Sequence, residues 1–180
     1  VKCWHKIIEG NTMGTVEGTI NERDIELLYE SAEVATLSRA QGNHPFGALL
    51  ADKEGHILMT QGNEVVTEHN DCGHAETALL LRASKEYSRD FLSECTLYTT
   101  IEPCVMCTGA LYWANVGRLV YGLTEHTLLE LTGSNEENPT FSLPCRSVID
   151  HGQKDIIVVG PVDDKSLRDR ILKDHIGFWD

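Results

Sequence analysis

His74 and Glu76 lie two positions apart in the stretch HAETALL, and further along the chain reads EPCVMC, with Cys104 and Cys107 three apart. Imidazole and thiolate are the ligand types that zinc favours. Cys104 and Cys107 follow a strand-like run and open a helical one. Residues i and i+3 share a helix face, so both sulfurs can reach one ion. The free N–H groups and dipole of a helix start stabilise thiolates, the form a metal binds. Pro103 fits there too, since its fixed φ suits a first turn. Taken alone, the pair reads equally as a redox dithiol or as half of a structural zinc site, and a lone histidine most simply as a core residue. His74 and Glu76 change the weighting, because they also begin a helix that follows the sheet. In an α/β sheet such helix starts gather along the C-terminal edge of the strands.

On this reading His74, Cys104 and Cys107 supply three ligands to Zn2+ and leave its fourth tetrahedral position to water, the arrangement of catalytic sites. Cys72 is the alternative fourth ligand and would make the site structural. One residue between Cys72 and His74 is tighter than usual ligand spacing, and a closed shell leaves Glu76 without a task. Zinc lowers the pKa of water towards neutrality, and two thiolates weaken that effect. A carboxylate at Glu76 that accepts the proton compensates, and can pass protons to a substrate nitrogen and to a departing amine. Positions i and i+2 diverge on a regular helix, so the site must sit at a helix end.

The elements needed to position these groups are legible. NERDIELLYESAEVATLSRAQG carries apolar residues at Ile25, Leu28, Ala32, Ala35 and Leu37, a helical period, with Asn21 to cap it and Gly42 to end it. FGALLAD and HILMTQG, joined by KEG, read as a hairpin. HAETALLLRASKEY is a largely apolar, buried helix. CTLYTT is a strand, CVMCTGALYWAN a helix, RLVYG a strand and EHTLLELT a short helix. GSNEENPTFSLP reads as an irregular loop, DIIVVGP as a fifth strand and DDKSLRDRILKDHI as a closing helix. Alternating strands and helices predict an α/β fold: a three-layer α/β/α sandwich on a five-stranded mixed sheet whose first two strands form an antiparallel hairpin. The whole chain, residues 1–180, is expected to be one domain, with residues 1–20 a poorly defined N-terminal segment.

The net charge of −13, from 28 acidic and 15 basic residues, disfavours phosphate backbones and makes a small molecule the expected partner rather than nucleic acid. No apolar run reaches the roughly 18 residues of a membrane span. VKCWHKIIEGNTMG lacks the continuous apolar core of a secretory signal. Six cysteines without such a signal fit the reduced thiols of a cytoplasmic protein, some used as metal ligands.

His-x-Glu followed by Pro-Cys-x-x-Cys is the signature of zinc-dependent nucleobase deaminases. The chain has HAE at 74–76 and PCVMC at 103–107, with PFGALL at 45–50, GN at 62–63 and GALYWA at 109–114. It resembles the cytidine deaminase-like superfamily, in the branch of guanine deaminases, small cytosine deaminases and tRNA-specific adenosine deaminases, over roughly residues 22–123. The resemblance implies that His74, Cys104 and Cys107 bind zinc and that Glu76 shuttles protons. It also implies that Asn63 hydrogen-bonds the base, although an Asn after Gly62 equally makes a turn. Phe46 is a candidate to stack on the base, against an ordinary core role, and the backbone at Ala75 and Glu102 could contact it. After residue 123 the chain departs from these relatives: where guanine deaminases of the branch carry an acidic pair, it has LTGSNEENPTFSLPC. Glu136 and Glu137 are candidate substitutes, with solvated loop charge the plainer reading. Phe178 and Trp179 resemble aromatic ends that some relatives fold over the site, and core packing suits them equally.

The expected function is therefore hydrolytic deamination of a free nucleobase, nucleoside or related amino-heterocycle, guanine slightly preferred, by a homodimer. Tyr112 and Trp113 are candidates to face the second copy, or the core. A tRNA-specific adenosine deaminase is the alternative within the same chemistry. From other classes come a non-catalytic zinc-binding interaction domain and a redox dithiol protein.

Overall fold

The computed structural model describes residues 13–133, 135, 136 and 138–179; readings placed on residues 1–12 and on Glu137 lie outside it. The elements run β1 (Thr15–Glu17), α1 (Glu22–Ala40), β2 (Gly47–Ala51), β3 (Ile57–Gly62), α2 (Ala75–Glu86), α3 (Arg89–Ser93) and β4 (Thr96–Ile101). Then come α4 (Val105–Ala114), β5 (Arg118–Leu123), α5 (Glu125–Thr132), α6 (Cys145–Ile149), β6 (Ile156–Val159) and α7 (Lys165–His175). The sheet order is β1-β6-β5-β4-β2-β3. β4, β5, β6 and β1 are parallel neighbours, while β2 pairs antiparallel with both β3 and β4. β3 and β4 therefore point the same way, and the helix starts that follow them lie at one edge.

Burial explains the layering. β2 and β4 are buried at every position, as strands covered on both faces must be. Ala48, Leu50, Leu97 and Leu119 pack with Leu79 and Leu80 of α2 and Leu111 of α4. Leu49, Ala51, Tyr98 and Val120 face the other way, onto Leu27 and Leu28 of α1, Leu128 of α5 and Ile171 of α7. Asn21 caps α1 in a reciprocal capping box with Asp24. The inward stripe of α1 is Asp24, Leu27, Leu28, Ser31, Ala32, Ala35 and Ser38. Leu37, read as part of the apolar face, is 62 % exposed. Small residues line the stripe because β2 crosses close beneath it. A Cβ at Gly47 would lie 2.2 Å from the Ser31 carbonyl oxygen and 2.5 Å from the Ala35 nitrogen.

The three-layer sandwich holds, with one correction: the sheet has six strands, not five. The additional strand β1 is three residues long and pairs through its backbone with β6. Three residues offer no periodicity to read, and the pairing is fixed by a partner far along the chain. The short helices α3 and α6 escape sequence reading for the same reason.

A buried ion pair ties the sheet to α1 at the edge opposite the helix starts of α2 and α4. The Arg118 guanidinium donates to both Asp24 carboxylate oxygens at 2.7 and 2.8 Å, and the Tyr98 hydroxyl donates to one of them at 2.7 Å. Burial pushes the Asp24 carboxyl up, but hydrogen bonds from Arg118, Tyr98 and the Asn21 N–H outweigh it and hold the group below the usual carboxylate range. A carboxyl lowered on folding stabilises the protein above its unfolded value of about 3.9 and loses that contribution as pH falls through the lower folded value. Arg118→Met leaves a buried charge unpaired and is expected to cost about 3 kcal/mol or more at neutral pH. Urea titrations of the two proteins should converge as pH drops through the folded value of Asp24. A constant difference across that range would show that the pair does not carry the effect.

Candidate metal centre and its cavity

His74 is the N-cap of α2 and Cys104 the N-cap of α4, both with extended backbone, and Cys107 lies in the first turn of α4. Cys104 therefore stands just outside the helix, and the shared-face reading of the pair is replaced by a cap-and-first-turn geometry with the same result. His74 Nδ1 is 3.7 Å from Cys104 Sγ and 3.7 Å from Cys107 Sγ. All three donor atoms fall within 4.8 Å of one another. Zinc with usual bond lengths of about 2.3 Å to sulfur and 2.0–2.1 Å to nitrogen, at tetrahedral angles, needs nitrogen–sulfur separations of about 3.6 Å. The donor set fits zinc in type and in spacing. Cys72 is exposed and is not part of the cluster, so its sulfur does not close the shell in this geometry.

Neighbouring hydroxyls orient the sulfurs and their loop. Thr77 Oγ1 lies 3.2 Å from Cys107 Sγ, and the Thr108 hydroxyl donates to the carbonyls of Cys104 and Pro103. The hydrogen bond from Cys107, then that with His74, pushes the Cys104 thiol down, while the same contact and burial drive Cys107 up. The contact with Cys104 pushes His74 up.

Glu76 occupies the first turn of α2 and is 6 % exposed. The Thr99 hydroxyl of β4 donates to its Oε1 at 2.9 Å, and its Oε2 lies 3.4 Å from Cys107 Sγ. Burial pushes its carboxyl up. The carboxylate thus lies beside the donors, held by the adjacent strand, as the helix-end argument requires.

Two spaces adjoin this cluster at His74 and Cys104. A small void of about 30 Å³ is lined by Phe46, His74, Glu76, Ile101, Glu102, Cys104, Glu125 and Asn138. A cavity of about 860 Å³ shares Phe46, His74, Cys104, Glu125 and Asn138 with it, and adds apolar walls from Val65, Val66, Val105, Met106, Pro139 and Phe141. Phe46 is therefore at the cavity, with its ring packed edge-on against His175 at 5.2 Å. Glu102 reaches the void, but its carboxylate accepts the Cys145 N–H and its own N–H is given to the Leu123 carbonyl. Asn63 and Ala75 are buried and line neither space. Asn63 Oδ1 accepts the Val65 N–H, the turn that its position after Gly62 also allowed.

Glu136 lines the large cavity. Trp179 packs against His44 at 5.1 Å and Phe46 at 6.2 Å, so the aromatic end forms part of the wall beside the cavity. Trp113 is 73 % exposed, while the Tyr112 hydroxyl accepts the Gln153 N–H. Sequence reading missed Glu125 and Asn138. Glu125 was findable, since it begins α5 directly after β5, the same strand-to-helix position that brings His74 and Cys104 to this edge. Burial first, then Cys104 and Glu76, push its carboxyl up to about 7. Asn138 lies in the irregular loop and had no signal. Among the described residues, no helix is long and apolar enough to cross a membrane.

A family model described as the cytidine and deoxycytidylate deaminase zinc-binding region matches residues 21–123. The chain is 35 % identical to a protein of Schizosaccharomyces pombe named "Probable cytosine deaminase", over 89 % of this chain and 95 % of that one. It is 41 % identical to the guanine deaminase of Bacillus subtilis over 46 % of this chain and 52 % of that one. In fold it is similar to the solved guanine deaminase of Nitrosomonas europaea, with a TM-score of 0.63 and 24 % identity over 82 % of this chain and 81 % of that one.

Proposed function

Because the chain belongs to the cytidine and deoxycytidylate deaminase family and is a zinc-dependent hydrolytic deaminase, we propose that it acts on a free nucleobase, nucleoside or related amino-heterocycle, guanine first. The observation that carries this reading is the cavity. Its walls combine apolar side chains with a few convergent polar groups, as in small-molecule sites, and two of the three donors, His74 and Cys104, share its wall with Glu125. At about 860 Å³ it has room for a two-ring base. Asp71, Glu125 and Glu136 line it, an acidic set that suits the N–H-rich edge of guanine and repels a phosphate backbone. The 41 % identity to a guanine deaminase supports the same choice. Cytosine is the second reading, favoured by the relative that matches nearly full length.

His74, Cys104 and Cys107 would hold the zinc, which would supply Lewis-acid chemistry to the site. Glu76 takes the proton released as water attacks the amine-bearing carbon. It delivers that proton to the neighbouring ring nitrogen, then passes the second proton of the same water, from the new hydroxyl, to the amine; the C–N bond breaks, ammonia leaves and the carbonyl forms. Thr99 holds Oε1 in place, and burial raises the proton affinity of the carboxyl, so Glu76 can hold a proton between transfers. Phe46, which lines both spaces, offers its ring to the base, with Glu102 beside it at the small void. The exposed Trp113 is the anchor through which two copies pair, and the protein works in the cytoplasm.

Ammonia release measured across guanine, cytosine, adenine, their nucleosides and an anticodon-stem RNA tests the reading. Release from guanine above all others is expected. Release from the RNA alone would overturn the substrate class.

A further inference from the structure

Asn138 lines both the small void and the large cavity, yet it lies in the segment where the chain departs from the relatives it resembles. Its Nδ2 is buried and has no hydrogen-bond partner among the described residues. A buried amide donor without an acceptor costs stability, so such a group at a cavity wall implies an acceptor supplied from the cavity.

The loop that presents it is fixed on both sides. The Asn135 side-chain amide donates to the Trp179 carbonyl at 2.8 Å, and the Asn138 N–H to the Asn135 carbonyl at 3.2 Å. Downstream, the Cys145 N–H donates to Glu102 Oε1 at 3.0 Å. The side-chain polar groups of the void are otherwise the metal donors His74 and Cys104 and three carboxyls, Glu76, Glu102 and Glu125. Ionised carboxylates accept hydrogen bonds, and apart from the ligand His74, Asn138 is the side chain there that donates through an N–H. The void, about 30 Å³, admits one group the size of a water molecule.

Resting on the deaminase reading above, we propose that Asn138 is a specificity-determining residue that donates its amide N–H to a ring carbonyl oxygen of the substrate. It selects amino-heterocycles bearing a carbonyl over those without one. The acidic groups around it take the N–H edge of the same base, so the two sets orient the ring from different sides.

Calorimetry on the zinc-loaded protein tests this without turnover. The probes are xanthine and uracil, which carry carbonyls and no amine to lose, and unsubstituted purine and pyrimidine, which carry neither. Asn138→Ala is expected to weaken xanthine or uracil by about 5- to 50-fold and to leave purine and pyrimidine unchanged. Asn138→Asp, the same size but unable to donate when ionised, is expected to weaken the carbonyl-bearing ligands at least as much, a loss that a merely space-filling residue would not show. Equal binding of the carbonyl ligands to wild type and variants overturns the assignment alone, as does an equal loss for all four probes. A wild-type protein that binds none of the four overturns the substrate reading, and this assignment with it.

Discussion

Glu76→Gln is expected to keep its zinc and its fold and to lose at least about 10²–10⁴-fold in kcat, the contribution usual for a positioned acid–base group. Glutamine matches the carboxylate in shape, and its amide oxygen can still accept the Thr99 hydroxyl that holds Oε1 at 2.9 Å. What it cannot do is take a proton and return it. The side chain is 6 % exposed, so solvent cannot readily substitute as the carrier. Metal content by plasma emission, a thermal melt and ammonia release on one preparation separate the roles. Zinc and melting temperature near wild type with activity abolished supports a proton carrier. Retained activity would remove Glu76 from the proton transfers, and lost zinc would make Glu76 a structural support of the ligands.

Removal of a ligand has the second large effect. Cys107→Ala is expected to leave the protein largely zinc-free and inactive, a deeper loss than the 10–100-fold in affinity typical for residues that only orient ligands. Cys107 is fully buried and lies 3.7 Å from the His74 nitrogen, so no exposed group can replace it without moving a helix. Cys72→Ser, by contrast, should keep the zinc, because Cys72 is exposed and outside the donor cluster. Zinc stoichiometry for the two variants, prepared in parallel, decides between an open and a closed shell. Loss of metal from Cys72→Ser would favour four protein ligands and a structural site. A ligand that binds only the native state stabilises it by mass action, so the melting temperature of the wild type, and not of Cys107→Ala, should rise with added zinc.

The parts of the site that were legible are those encoded within a few residues. HAE and PCVMC place their donors at helix starts, and a helix start is written locally, in caps, prolines and apolar periodicity. Glu125 belongs to the same class. Asn138 does not, because a loop of mixed polar residues has no period, and its position depends on contacts with Trp179 and Glu102 that are distant in sequence. The fold divides in the same way. Five strands showed themselves by apolar runs, whereas β1 is defined by its pairing with β6 and carries no pattern of its own. Leu37 shows the converse: a helical period identifies a helix, but its inner face was set by the close approach of Gly47, which favours Ser31 and Ala35 over bulk.

The tie between Asn135 and Trp179 joins the irregular loop to the far end of the chain. Every metal donor precedes Asn135 in the sequence, whereas the wall is braced through Trp179. The three donors therefore come from segments that all precede this tie along the chain, so the cluster and the brace of the wall are built from separate stretches of sequence.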